Sequence, residues 1–191
     1  PGIVYTFSSD SDPLFTQGES VKANSGLKEL AEDGNNEVIF NYLTANDITA
    51  ARSEQPGGVG ANGELTFTIN AVPGDKLGFA TMFVAANDWF VSYNNNGVAL
   101  FDADGNPRSG DLESENTYLF DAGTELDEDV GFGDYQPMGS NGTGSAGADS
   151  NPIIRRVGEI EDVQFGKGLI ESAPGVTALS DGRGGYNLVV I

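Results

Sequence analysis

Residues 74–92 read GDKLGFATMFVAANDWFVS. An apolar run of strand length, KLGFATMFVAA (76–86), breaks at a short polar step, Asn87-Asp88. Apolar chain resumes at once with Trp89, Phe90 and Val91. A run of this length and composition reads as a β-strand. The chain therefore leaves that strand at a lone acid and turns back at its only tryptophan.

Working outward, GIVYTF (2–7), ELTFTINAV (64–72), GVALFD (97–102), NTYLFD (116–121) and YNLVVI (186–191) read as further strands. In ELTFTIN, Leu65, Phe67 and Ile69 alternate with Thr66 and Thr68, the pattern of a half-buried strand. The 27 glycines cluster as punctuation, in QPGGVGANG, GSNGTGSAGADSN and SDGRGG. DADGN (102–106) reads as a tight turn with Gly105 at positive φ. One segment breaks the β pattern. In NSGLKELAEDGNNEVIFNYLTAN (24–46), Leu27, Leu30 and Ala31 fall at helical spacing before Gly34, and Val38, Ile39, Tyr42 and Leu43 repeat it. The spacing predicts two short helices within about 25–45, closing one end of a sandwich. The expectation is a single all-β domain over 1–191, an antiparallel β-sandwich with long Gly/Asp-rich loops. The stretch from about 130 to 155 is the longest of these loops, and IIRRVGEIEDVQF after it reads as a strand or an irregular edge.

Composition narrows the chemistry. The chain has no cysteine and no histidine, which excludes disulfides, thiolate catalysis, Cys-ligated zinc and the commonest general base. With 29 acids against 9 bases the formal charge is −20, which disfavours nucleic acid and favours multivalent cations. No apolar stretch is long enough for a transmembrane helix. The sequence opens at Pro1 without a targeting signal, as a mature processed chain or a fragment would.

Asp88 and Asp121 both fall just beyond the C-terminal ends of expected strands. Glu125 follows Asp121 across the compact Ala-Gly-Thr turn. Loops at one sandwich edge can gather such carboxylates, and hard oxygen ligands suit Ca²⁺. Spacing alone leaves two readings open, a cation site and a solvated acidic loop.

The blocks GLKELAEDG, GDKLGFATMFVAANDWFVS and YLFDAGTELDE together resemble the spondin-type domain, the N-terminal module of F-spondin and of many bacterial secreted proteins. The likeness is specific over 24–36 and 74–134 and thin after about residue 150. It implies a C2-like antiparallel β-sandwich, an extracellular, secreted location and one calcium site. Carried over residue by residue, the ligands fall on Asp88, Asp121 and Glu125, the last standing where the family usually has Asp. The family's opening strand has no counterpart before Pro1. The resemblance thus also implies an empty sheet position, which 186–191, as a donor strand, can fill in a neighbouring copy, building a head-to-tail homopolymer.

Other segments carry weaker signals. Trp89 and Phe90 offer either a surface contact for sugar or lipid or a buttress beneath the loop. DADGNPRSGDLE (102–113) imitates an EF-hand loop, but Pro107 stands at the glycine position and the flanks read as strands, so a hairpin turn is expected. Asp127, Glu128, Asp129 and Asp134 supply a second cation or plain surface charge. Asn141 heads an Asn-Gly-Thr glycosylation sequon. Three functions are compatible with these residues. The first is a calcium-binding structural or adhesive module outside the cell, self-associating or bound to matrix. The second is a monomeric module for carbohydrate or lipid surfaces, using Trp89, Phe90 and Tyr93. The third, a carboxylate hydrolase built on Asp88 and Asp121, needs the two carboxyls at a defined separation flanking a cleft, and no enzyme is expected.

Overall fold

The computed structural model describes residues 1–54, 64–110, 117–128, 133–136 and 144–157, and the backbone of two strands at 176–180 and 186–190. In chain order the strands are β1 (Gly2–Phe7), β2 (Ala50–Arg52), β3 (Lys76–Met82), β4 (Trp89–Tyr93), β5 (Val98–Ala99), β6 (Thr117–Asp121), β7 (Arg155–Arg156), β8 (Val176–Ser180) and β9 (Tyr186–Val190). Helices α1 (Leu27–Asp33) and α2 (Asn36–Ala45) lie between β1 and β2. Seven strands form one sheet in the order β2-β1-β3-β4-β6-β7, with β5 beside β3. Every pairing is antiparallel. The chain is thus of the all-β class with two short helices.

The helices begin and end where their sequence dictates. The Asn35 side chain accepts the Glu37 N–H at 3.0 Å and caps α2. Gly34, in the left-handed region, ends α1. Leu27, Leu30, Ala31, Ile39 and Leu43, from the two helical stripes, pack on Ile3, Tyr5 and Phe7 of β1 and on Phe90 and Phe120. Phe15 wedges between Phe90 and Phe120, its ring centroid 5.2 and 5.1 Å from theirs. Truncating either partner to alanine costs about 3–5 kcal/mol.

The opposite face of the sheet is apolar too. Trp89, Val91, Leu119 and Val157 are buried there with Ala86, against the partly buried Phe79 and Phe83. This explains why Trp89–Tyr93 reads as a continuous run rather than an alternation: all five residues are buried, as in a strand covered on both faces.

Two expectations are corrected. Residues 64–72 form no strand. The segment stays near the surface, Leu65 being 38 % and Val72 63 % exposed while Phe67 and Ile69 are half-buried. The run GVALFD shortens to the two residues of β5, because Phe101 instead bridges Pro107 across the DADGN turn. That turn is a hairpin, with Gly105 at φ 82°. Strand β1 pairs β3 along its length and β2 through Ile3, Val4 and Tyr5. The C-terminal strand β9 pairs β8 in a separate two-stranded sheet. Asn141, Asp129 and most of the 153–165 stretch after Val157 lie outside the described residues.

Candidate metal centre

The turn between β3 and β4 presents the first acid. Phe83 N–H donates to Trp89 O at 2.9 Å and Ala86 N–H to Phe83 O at 3.3 Å, so the chain reverses within a few residues and Asp88 stands at the mouth of β4. The β4–β6 register sets Trp89 opposite Asp121, and the β6–β7 register sets Asp121 opposite Arg155. Opposed residues in a ladder share a face. Indole, carboxylate and guanidinium thus lie in one row across three strands.

Past Asp121 the backbone must bend sharply. Gly123 adopts φ +67°, and a Cβ there would stand 2.7 Å from Ile153 O and 2.8 Å from Ile153 N. Only glycine fits this position. Its N–H donates to Asp121 Oδ1 at 2.6 Å. The bend delivers the next two amides to Asp88: Thr124 N–H at 2.6 Å, Thr124 Oγ1 at 3.0 Å and Glu125 N–H at 2.9 Å all donate to Oδ2.

The other oxygen of Asp88 has no such support. Asp88 is fully buried, yet its Oδ1 has no hydrogen-bond partner among the described residues. A buried polar atom without a partner is costly, and a buried charge more so. Asp88, Asp121 and Asp127 each bring a carboxylate oxygen within 4.8 Å of the other two, forming a group able to hold a metal ion. Two full charges at that separation repel by about 3 kcal/mol at an effective dielectric of about 20. Asp127 is held in place by Trp89, whose indole N–H donates to Asp127 Oδ1 at 2.8 Å.

The electrostatics follow. Burial, then the neighbouring Asp121 charge, pushes the Asp88 carboxyl up to about 8 against the pull of the Glu125 and Thr124 amides. Burial, then Asp127, raises Asp121 to about 6, opposed by the Gly123 amide and by Arg155. Burial raises Asp127 as well, while the Trp89 hydrogen bond opposes it. All three acids resist ionisation, the state a bound cation would reverse.

Arg155 flanks the cluster. Its Nε donates to Asp121 Oδ2 at 2.9 Å, and its Nη2 pairs with Asp121 Oδ2 and Asp149 Oδ2. Nη2 also stands 3.7 Å from Asp127 Oδ2.

Of the residues expected at the site, Asp88 and Asp121 come together, but the third acid is Asp127. Glu125 contributes its amide rather than its carboxylate, which accepts from Ser145 instead. Trp89 and Phe90 are corrected as surface contacts: both are fully buried, Trp89 beneath the acids and Phe90 in the helix-side core. Tyr93 is buried as well. Glu128 anchors loops rather than lying bare, accepting from Asn87 Nδ2 and Tyr135 N–H, each at 3.0 Å. Sequence reasoning named Asp127 only for a second cation and missed Arg155. The run Glu-Leu-Asp-Glu-Asp held the first as one acid among several, and only the β6–β7 register picks out the second.

Comparison with known proteins gives no match: no family model fits the chain, and no curated protein and no solved structure is significantly similar to it.

Proposed function

We infer that this chain is a secreted, non-enzymatic structural module whose sheet edge is locked by calcium. The observation that carries the reading is the buried Asp88 Oδ1, unpartnered and grouped with Asp121 and Asp127. Such an atom calls for a cation, and the donor set names its class. The three acids offer hard oxygens, in a chain without histidine or cysteine, which suits calcium over zinc or copper. Loop carbonyls and water would complete the six to eight ligands calcium takes. The resemblance to spondin-type domains, with its C2-like sandwich and extracellular setting, supports the same assignment. The burial of Trp89 and Phe90 weighs against a sugar- or lipid-binding module built on them.

The ion would neutralise the carboxylates and tie the β3–β4 turn to the segment after β6. Binding only the folded chain, it would stabilise it in proportion to its excess over Kd. The test is terbium luminescence sensitised by Trp89, the chain's only tryptophan, whose indole touches Asp127. Emission that calcium displaces, and that Asp88→Asn abolishes, is expected. Emission unchanged in Asp88→Asn would sink the assignment.

A further inference from the structure

The cation site already contains a cation of the protein's own. Arg155 places Nε and Nη2 on Asp121 Oδ2, while Asp121 Oδ1 is taken by the Gly123 amide. Asp121 Oδ2 therefore carries two guanidinium N–H groups and is open to an ion only if Arg155 yields it, whereas Oδ1 holds a single amide. Asp127 is divided differently. Its Oδ1 is held by Trp89, and its Oδ2 stands 3.7 Å from the same guanidinium nitrogen. Asp88 Oδ1, by contrast, receives nothing from Arg155 or from any other described donor.

We propose that Arg155 is a tethered competitor of the divalent ion, so that guanidinium and metal alternate on Asp121 Oδ2. The inference rests on the calcium reading above. Two features give the exchange a direction. Arg155 is already paired with Asp149 Oδ2, so a guanidinium leaving Asp121 keeps a carboxylate partner and is not stranded. The buried Asp88 oxygen, which has no donor among the described residues, gains a partner when the metal replaces the guanidinium. A planar guanidinium satisfies carboxylates from one side, whereas a metal ion gathers oxygens around a point. With the metal out, Arg155 partly offsets the repulsion and holds β7 to β6. With the metal in, Arg155 turns to Asp149, and the 144–157 segment carrying both residues becomes the part that responds to the ion.

The exchange makes a prediction opposite to that of a supporting role. Arg155→Gln removes both the competitor and a positive charge beside the site, so calcium should bind about tenfold tighter or more. Arg155→Lys, which keeps the charge but loses the fork, should fall between Gln and wild type. Titration calorimetry reads both. Thermal unfolding should show Arg155→Gln less stable than wild type in chelator, with a larger gain on adding calcium. Should Arg155→Gln not fold in chelator, the wild-type chain supplies the second readout. Its Arg155 Nε–H nitrogen resonance should move when calcium is added. Unchanged or weaker calcium affinity in Arg155→Gln, or an Arg155 resonance indifferent to calcium, overturns the exchange while leaving the metal site standing. Binding absent from both wild type and Arg155→Gln overturns both readings. Binding gained only in Arg155→Gln supports the exchange in its strongest form.

Discussion

Two buried aspartates in this molecule have opposite fates. Asp12, 2 % exposed, is fully served: the Tyr5 hydroxyl donates to both its oxygens at 2.8 and 2.7 Å, and the Leu14 N–H reaches Oδ1 at 2.8 Å. Burial raises its carboxyl to about 6, and its hydrogen bonds with Tyr5, Leu14 and Phe15 oppose the rise. Asp88 is buried as deeply and has as many donors, but all three converge on Oδ2. Its Oδ1 is left facing two more carboxylates, and its carboxyl rises to about 8. Burial alone therefore does not mark a binding residue. What separates the two is how the donors divide between the oxygens: Asp12 pins the 8–15 segment to β1, whereas Asp88 keeps one oxygen for which no described residue supplies a donor.

The largest expected effect that would sharpen this contrast is in the pH dependence of stability. Both carboxyls sit above their ordinary value when folded, so the folded chain binds more protons than the unfolded one. Stability must then fall as pH rises. In chelator the fall should run from about pH 4 to about pH 8, with the Asp12 share complete near 6 and the Asp88 share continuing to 8, several kcal/mol in all. Saturating calcium should erase the part above 6, since the ion replaces the proton on Asp88. Denaturant unfolding across pH reads both curves, and coincident curves would break the contrast.

Next in size is the loss of ion stabilisation. At calcium a hundredfold above Kd the wild type should gain about 2.7 kcal/mol. Asp88→Asn should lose that gain yet remain at least as stable as wild type in chelator, because it relieves the repulsion. Asp12→Asn should do the reverse, costing about 1–3 kcal/mol with or without calcium, as its amide cannot accept at both oxygens. Melting temperatures of the two variants in calcium and in chelator test the opposite signs. The smallest expected effect is that of Glu125→Gln, which should weaken calcium binding far less than Asp127→Asn does. Equal losses would return Glu125 to the cluster.

The sequence by itself determined a good deal. Helical spacing around Gly34 marked both helices, and the apolar runs marked β1, β3, β6 and β9. Asp88 and Asp121 were legible because each acid closes an apolar run, a position that strand geometry alone puts at a strand end. Where the sequence misled, the missing information was what lies opposite. ELTFTINAV has the alternation of a strand but no partner strand among the described residues. Glu125 has the right charge, but its carboxylate turns toward Ser145. The apolar residues after Trp89 favoured a buttress over a surface contact, and the second apolar layer buries the indole. Only the tertiary structure could choose Asp127 from a run of acids, because the choice is made by an indole 38 residues away. Only the β6–β7 register could bring Arg155 onto Asp121 across 34 residues. Local patterning fixes which residues leave a strand and where, but the partners of a buried charge come from distant chain, and their positions are set by the register of the sheet.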